Sequence, residues 1–229
     1  MKIDIVKLLD LYDVYRSERA PHVSAITTFL GVELILGIVR HFFEKQQYEC
    51  RITASEPAVA DSRLRLDRWF VVNREGREIF YQTEVKNWSS YTTGVPRTLT
   101  LGMNARQLNN YAFAMYRKQW NHRTGTFTDY DNLAKVLMPT VEPADYRPGI
   151  SEVRPLVCYW YPITNSDRTK LTSHFFTLDC RSKTFTEVDV FSASLYLRHL
   201  ASTGITSINI DLGNLNTTIH LLRSFLQLP

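Results

Sequence analysis

The chain has 229 residues, 44% of them hydrophobic, with 27 Lys and Arg against 23 Asp and Glu for a net charge of +4. That length and apolar content permit one large domain with a full core, and so mild a basic balance is compatible with nucleic acid without arguing for it. Three cysteines, Cys50, Cys158 and Cys180, are too few and too widely spaced for a disulfide framework or a cysteine zinc site; they fit a reducing, cytoplasmic setting.

Along the chain, apolar residues at 5, 8, 9, 12 and 15 predict a helix over about 3–16. Arg19-Ala20-Pro21-His22 breaks the pattern, and Ser24 is placed to cap a second helix reaching about Gln47. The first residues carry charge, so no signal peptide is read there. The apolar run 29–39 is about half of what a membrane span needs and is interrupted by Glu33, so no membrane is expected as a partner. Strands are predicted over 48–54, 64–72 and 79–88, the last two joined as a hairpin through Asn73-Arg74-Glu75-Gly76-Arg77. A polar loop over 89–100 and a helix over about 103–121 follow. Beyond a proline-rich stretch, strands are predicted over 154–161, 174–178, 185–190 and 207–212, with helices over 192–202 and 216–226. No internal repeat or long linker divides the chain, so a single α/β domain is the simplest reading.

The most informative segment is Ile79-Phe80-Tyr81-Gln82-Thr83-Glu84-Val85-Lys86-Asn87-Trp88, an apolar strand in which Glu84 and Lys86 alternate onto one face. A two-residue turn at Glu75-Gly76 places Arg74 opposite Arg77 and, counting outward, Asp67 opposite Glu84. Facing carboxylates repel unless a cation lies between them, and an all-oxygen ligand set suits Mg²⁺ or Mn²⁺. Lys86 would then hold the attacking water or a phosphate. The bland alternative is a cross-strand charge cluster on a solvated face. Glu33, an acid among apolar helix neighbours, either faces solvent or adds a third carboxylate to the same cavity. Gln107 and Tyr111, four apart, share one helix face with Arg106 nearby, as surface residues or as contacts to phosphate oxygens or bases.

An acid-bearing helix, an Asp on a strand, Glu-x-Lys on the next strand and Gln-x-x-x-Tyr on the following helix together resemble the PD-(D/E)xK nuclease superfamily. The Gln-x-x-x-Tyr element resembles its RecB-like branch. The match covers about residues 24–115, with Leu66 before Asp67 where the motif's name has proline. The resemblance implies a restriction-endonuclease-like core, a mixed central sheet flanked by helices, over about 24–121. An insertion and a C-terminal α/β extension would occupy about 122–229. It implies that Asp67, Glu84 and Glu33 bind Mg²⁺ or Mn²⁺, that Lys86 is the catalytic lysine, and that Gln107, Tyr111 and Arg106 contact substrate. The implied activity is metal-dependent hydrolysis of DNA phosphodiester bonds, in phage defence, restriction or repair. With no helicase or ATPase motif in the sequence, the protein would act as a stand-alone nuclease, a homodimer suiting double-strand cleavage, or as one subunit beside a separate helicase or ATPase. Two alternatives stay open: a catalytically silent nucleic-acid-binding or scaffold module of the same fold, and an RNA-directed nuclease, because the metal chemistry does not read the sugar.

Other candidates are weaker. Glu187-Val188-Asp189 alternates too, but no lysine follows on its face, and it reads as an edge or surface strand. The six histidines are scattered, no Gly-x-Ser-x-Gly or Gly-rich phosphate loop is present, and Cys158 lies in an apolar strand.

Overall fold

In a computed structural model of the chain, residues 1–10, 21–53, 55–86, 136–160, 174–179 and 184–211 are described. Lys2–Asp4 form a strand, β1, where the periodicity predicts helix, because they pair antiparallel with β8 (Ser207–Asn209), Ile3 opposite Ile208. Asp4 then caps a helical segment over 5–10, its Oδ1 accepting the Lys7 N–H at 3.1 Å. The long helix α1 spans Pro21–Lys45 and starts earlier than Ser24. Proline suits a first helical position, where its missing N–H has no intrahelical acceptor to lose. The helix closes at Gln47, which takes a left-handed φ of 66°, with the Gln46 and Gln47 N–H groups folding back on the Phe43 and Glu44 carbonyls.

The remaining described elements are β2 (Glu49–Ile52), β3 (Arg68–Arg74), β4 (Arg77–Lys86), β5 (Ser151–Tyr159), β6 (Phe175–Asp179), β7 (Glu187–Ser192) and α2 (Ala193–Ser202). They build a six-stranded mixed sheet in the order β2-β3-β4-β5-β7-β6. β3 runs antiparallel to both its neighbours, β2 and β4, while β4, β5 and β7 are parallel, and β6 returns antiparallel on the edge. The α/β class and mixed sheet agree with expectation. The second half of the chain differs: β5, β6 and β7 complete the central sheet, so residues from 151 onward are not an appendage to a core ending near 121.

Burial on both faces explains why β4 and β5 read as near-continuous apolar runs. One face, carrying Phe70, Tyr81, Val85, Leu156, Cys158 and Phe191, packs on Ile35, Leu36, Val39, Phe42 and Phe43 of α1 and on Tyr196 and Leu197 of α2. Gly37 lets α1 approach the chain after β8: a Cβ there would lie 3.1 Å from the Asp211 carbonyl oxygen and from the Ile210 side chain. The opposite face carries Trp69, Val71 and Phe80 against Tyr146, and Val157, Tyr159 and Val190 against Val59, Val136 and Leu137. Asp189 corrects the edge-strand expectation. β7 is interior, and Asp189 is 2% exposed, accepting hydrogen bonds from Thr177 Oγ1 at 2.6 Å and Arg154 Nη2 at 3.2 Å. Its charge is tolerated because it is paired.

Gln82 fastens the second face. It is fully buried; its Nε2 donates to the Val136 and Met138 carbonyls at 2.6 and 2.8 Å, and its Oε1 accepts from Thr140 Oγ1 at 2.7 Å. Gln82→Leu keeps the volume but takes the partner from three polar groups, the buried Val136 carbonyl and the part-buried Met138 carbonyl and Thr140 hydroxyl, a buried orphan costing roughly 1–3 kcal/mol. Urea unfolding is expected to show a loss of at least about 2 kcal/mol, and an unchanged midpoint would remove Gln82 from this role.

Two histidines border the aromatic core. His41 Nδ1 lies 2.8 Å from the Tyr196 hydroxyl, and the His174 ring stacks on His199 at 5.2 Å between centroids. Burial first, then Lys45, lowers the His41 pKa from its usual 6.5, and burial first, then His199, lowers that of His174. Between the folded and ordinary values the unfolded chain binds more protons, so these groups support the fold above about pH 6.5 and withdraw that support as pH falls. The urea midpoint is expected to drop between pH 7.5 and 5.5, and the drop to shrink in the double variant His41→Gln, His174→Phe.

Candidate functional site

Turn chemistry sets the site. Glu75 and Gly76 have φ of 54° and 81°, the paired positive values of a type I′ hairpin turn. From Arg74 opposite Arg77 the register runs without a slip to Trp69 opposite Gln82 and Arg68 opposite Thr83. The next rung is altered. The Asp67 N–H donates to the Thr83 carbonyl at 3.0 Å, so Asp67 and Arg68 both address Thr83, the two-against-one pattern of a β-bulge. Asp67 Oδ2 then accepts the Val85 N–H at 2.6 Å, a carboxylate standing where the ladder would use a carbonyl. The acid is tied to the residue between Glu84 and Lys86 instead of facing Glu84 on a regular rung.

Glu84 is 2% exposed, opposite Val157 of β5, and a carboxylate so buried demands compensating cations or donors. Lys86 is the last residue of β4, with its backbone in register with Tyr159, which in turn is in register with Ser192 at the end of β7. Asp67, Glu84 and Lys86 therefore gather at the carboxyl ends of the parallel strands, where open α/β sheets bind ligands. Cys158 lies on the row beside Val85, and burial first, then the Asp67 charge, pushes its thiol well up from its ordinary value, leaving it unfit as a nucleophile.

Glu33 reaches this end of the sheet by another route. Its Oε1 accepts from Arg68 Nη2 at 2.8 Å, while Arg68 Nη1 donates to the Asp67 carbonyl at 2.7 Å and lies 3.7 Å from Glu56. The acid is neutralised by an arginine, and the arginine grips the bulge that presents Asp67. Among the described residues, no three His, Cys, Asp or Glu side chains converge as a metal-binding group. Gln107, Tyr111 and Arg106 lie outside the described residues, as does the Lys86 side chain. Arg68 is the residue that the sequence argument passed over. Its signal was weak: a cation beside the motif acid, 35 residues from its partner.

No family model, curated protein or solved structure matches this chain. Among the described residues no helix is long and apolar enough to cross a membrane.

Arg68→Ala removes the guanidinium from both Glu33 and the Asp67 carbonyl. A loss of roughly 1–3 kcal/mol in urea unfolding is expected, with faster hydrogen exchange at the Val85 amide. Glu33→Gln retains an acceptor for Arg68 and should leave that exchange near wild type. Equal acceleration in both variants would show that the charge on Glu33, and not its hydrogen bond, holds the bulge.

Proposed function

We propose that this chain is a metal-dependent nuclease that hydrolyses DNA phosphodiester bonds, with Asp67, Glu84 and Lys86 as its reactive group. The observation that supports this reading most is the bond from the Val85 N–H to the Asp67 carboxylate, which ties the β3 acid to the Glu84-Val85-Lys86 segment. Two carboxylates suit Mg²⁺, which is held by one or two of them together with waters and substrate phosphate oxygens. Asp67 and Glu84 would hold the ion, and Glu33, engaged by Arg68, would act on it indirectly. A bound divalent cation would supply Lewis acidity at the scissile phosphate and lower the pKa of a water.

The chain's own residues then have separate tasks. Burial of Glu84 keeps its carboxylate in a medium of low dielectric, where its pull on a cation is stronger than in water. The bulge and Arg68 hold the Asp67 backbone, which would spare reorganisation when substrate binds. Lys86 would offset charge developing on the phosphoryl oxygens. A second reading, a nucleic-acid-binding module without turnover, is favoured by one observation: the first-helix acid is spent on an ion pair.

The test compares wild type with Asp67→Asn and Lys86→Ala on plasmid, linear and single-stranded DNA and on RNA, in Mg²⁺, Mn²⁺ or EDTA. Asparagine keeps an oxygen for the Val85 N–H, so lost activity cannot be ascribed to a lost structural bond. Cleavage is expected for wild type with metal, none in EDTA, and a fall of about 10²-fold or more in each variant. Cleavage surviving both substitutions would sink the nuclease reading, and tight DNA binding without turnover would select the second.

A further inference from the structure

At the other end of the hairpin lies a cleft of about 550 Å³, lined by Arg74, Arg77, Arg154, Glu75, Glu152 and Ser151 among others. Arg74 and Arg77 are direct partners on the last rung beside the turn, a placement that sets like charges face to face and costs stability unless something repays it. The two are not neutralised in the same way as their neighbour. Arg154 is surrounded by acids, with Asp189 and Glu187 at 3.2 Å and Glu152 at 3.9 Å. Arg74 and Arg77 have no ion-pair partner among the described residues. Arg74 is instead steadied by the Tyr48 ring, its guanidinium carbon 5.7 Å from the centroid, which orders the side chain without consuming its charge.

Of the two acids in the wall, Glu152 leans on Arg154, so two arginine forks face a single exposed carboxylate, Glu75. Guanidinium forks match tetrahedral oxyanions and bind them bidentately. We propose that this cleft binds a phosphate group through Arg74 and Arg77, which strand alternation puts on one face of the sheet. The site stands apart from the Asp67–Glu84 end. β4 runs from Arg77 to Lys86, ten residues, so the two ends of that strand are about 30 Å apart at roughly 3.3 Å per residue.

The test is calorimetric titration of the full chain in EDTA, which prevents phosphate from being held through a metal at Asp67 and Glu84. One arm uses inorganic phosphate, another a short DNA single strand without terminal phosphates. The variants are Arg74→Ala with Arg77→Ala, the same pair changed to lysine, and Asp67→Asn. All three positions lie at the surface or keep their hydrogen bond, and circular dichroism checks their folding. Wild type and Asp67→Asn are expected to bind phosphate alike, the double alanine variant at least about ten-fold more weakly, and the lysine pair in between. Binding of both probes, lost together, identifies a phosphodiester backbone as the source; binding of inorganic phosphate alone identifies a free phosphate. A flat titration of wild type with both probes, or equal affinity in the double alanine variant, would overturn the proposal. A nuclease assay does not enter, so failure here leaves the cleavage reading untouched, and the reverse.

Discussion

The type I′ turn at Glu75-Gly76 is the constraint on which the rest of the molecule depends. Two consecutive residues with positive φ match the twist of the flanking strands, and the register that follows decides which side chains of β3 and β4 meet. Because side chains alternate strictly, a slip of one residue would exchange the two faces, exposing Phe70 and Tyr81 to the wrong core and separating Asp67 from Val85. The glutamate at a left-handed position is an uncommon choice, and the neighbouring glycine carries the second positive angle without a Cβ. From this short element come both the strand that carries Glu84 and the pair of arginines at its far end.

Around that hairpin the sheet is assembled from both halves of the chain. β2, β3 and β4 are local and antiparallel, whereas β5 and β7 arrive from far downstream and run parallel to β4. Helices cover one face of the sheet, and the chain near 136–146 covers the other, so β4 and β5 have no solvated side over their central residues. Polar groups inside such a layer survive only when fully engaged. Gln82 and Asp189 meet that condition with three and at least two partners respectively.

What the amino-acid pattern revealed, and what it hid, divides along the range of the interactions. The hairpin and its register were legible because turn residues act on their immediate neighbours. The helical patterns of α1 and α2 were legible as apolar runs, although the proline at the start of α1 looked like a breaker and proved to be the first residue. β1 was misread as helix because its pairing with β8 joins residues about two hundred positions apart. The same blindness made residues beyond 151 look like an extension and Asp189 look superficial. At the candidate site the closeness of Asp67 to the Glu84 segment was foreseeable, but the bulge was not, since it arises from where one N–H finds its carbonyl. Glu33 looked like a lone acid because alternation along one strand says nothing about which arginine a distant helix will meet.

Cys158 gives this arrangement an unplanned use. Its thiol is sealed in the layer between the sheet and α1, one strand away from the Asp67–Val85 bond, and the protonated form is held there by burial and by the neighbouring carboxylate. Cys50, on the edge strand β2, is half-buried and its thiol is pushed up to about 12, chiefly by burial, so neither sulfur is spontaneously nucleophilic in the folded chain. A thiol reagent can therefore reach Cys158 only when β4 and β5 part from α1. Its modification rate is a clock for the opening of the sheet end that carries Asp67 and Glu84, built into the chain without any added label.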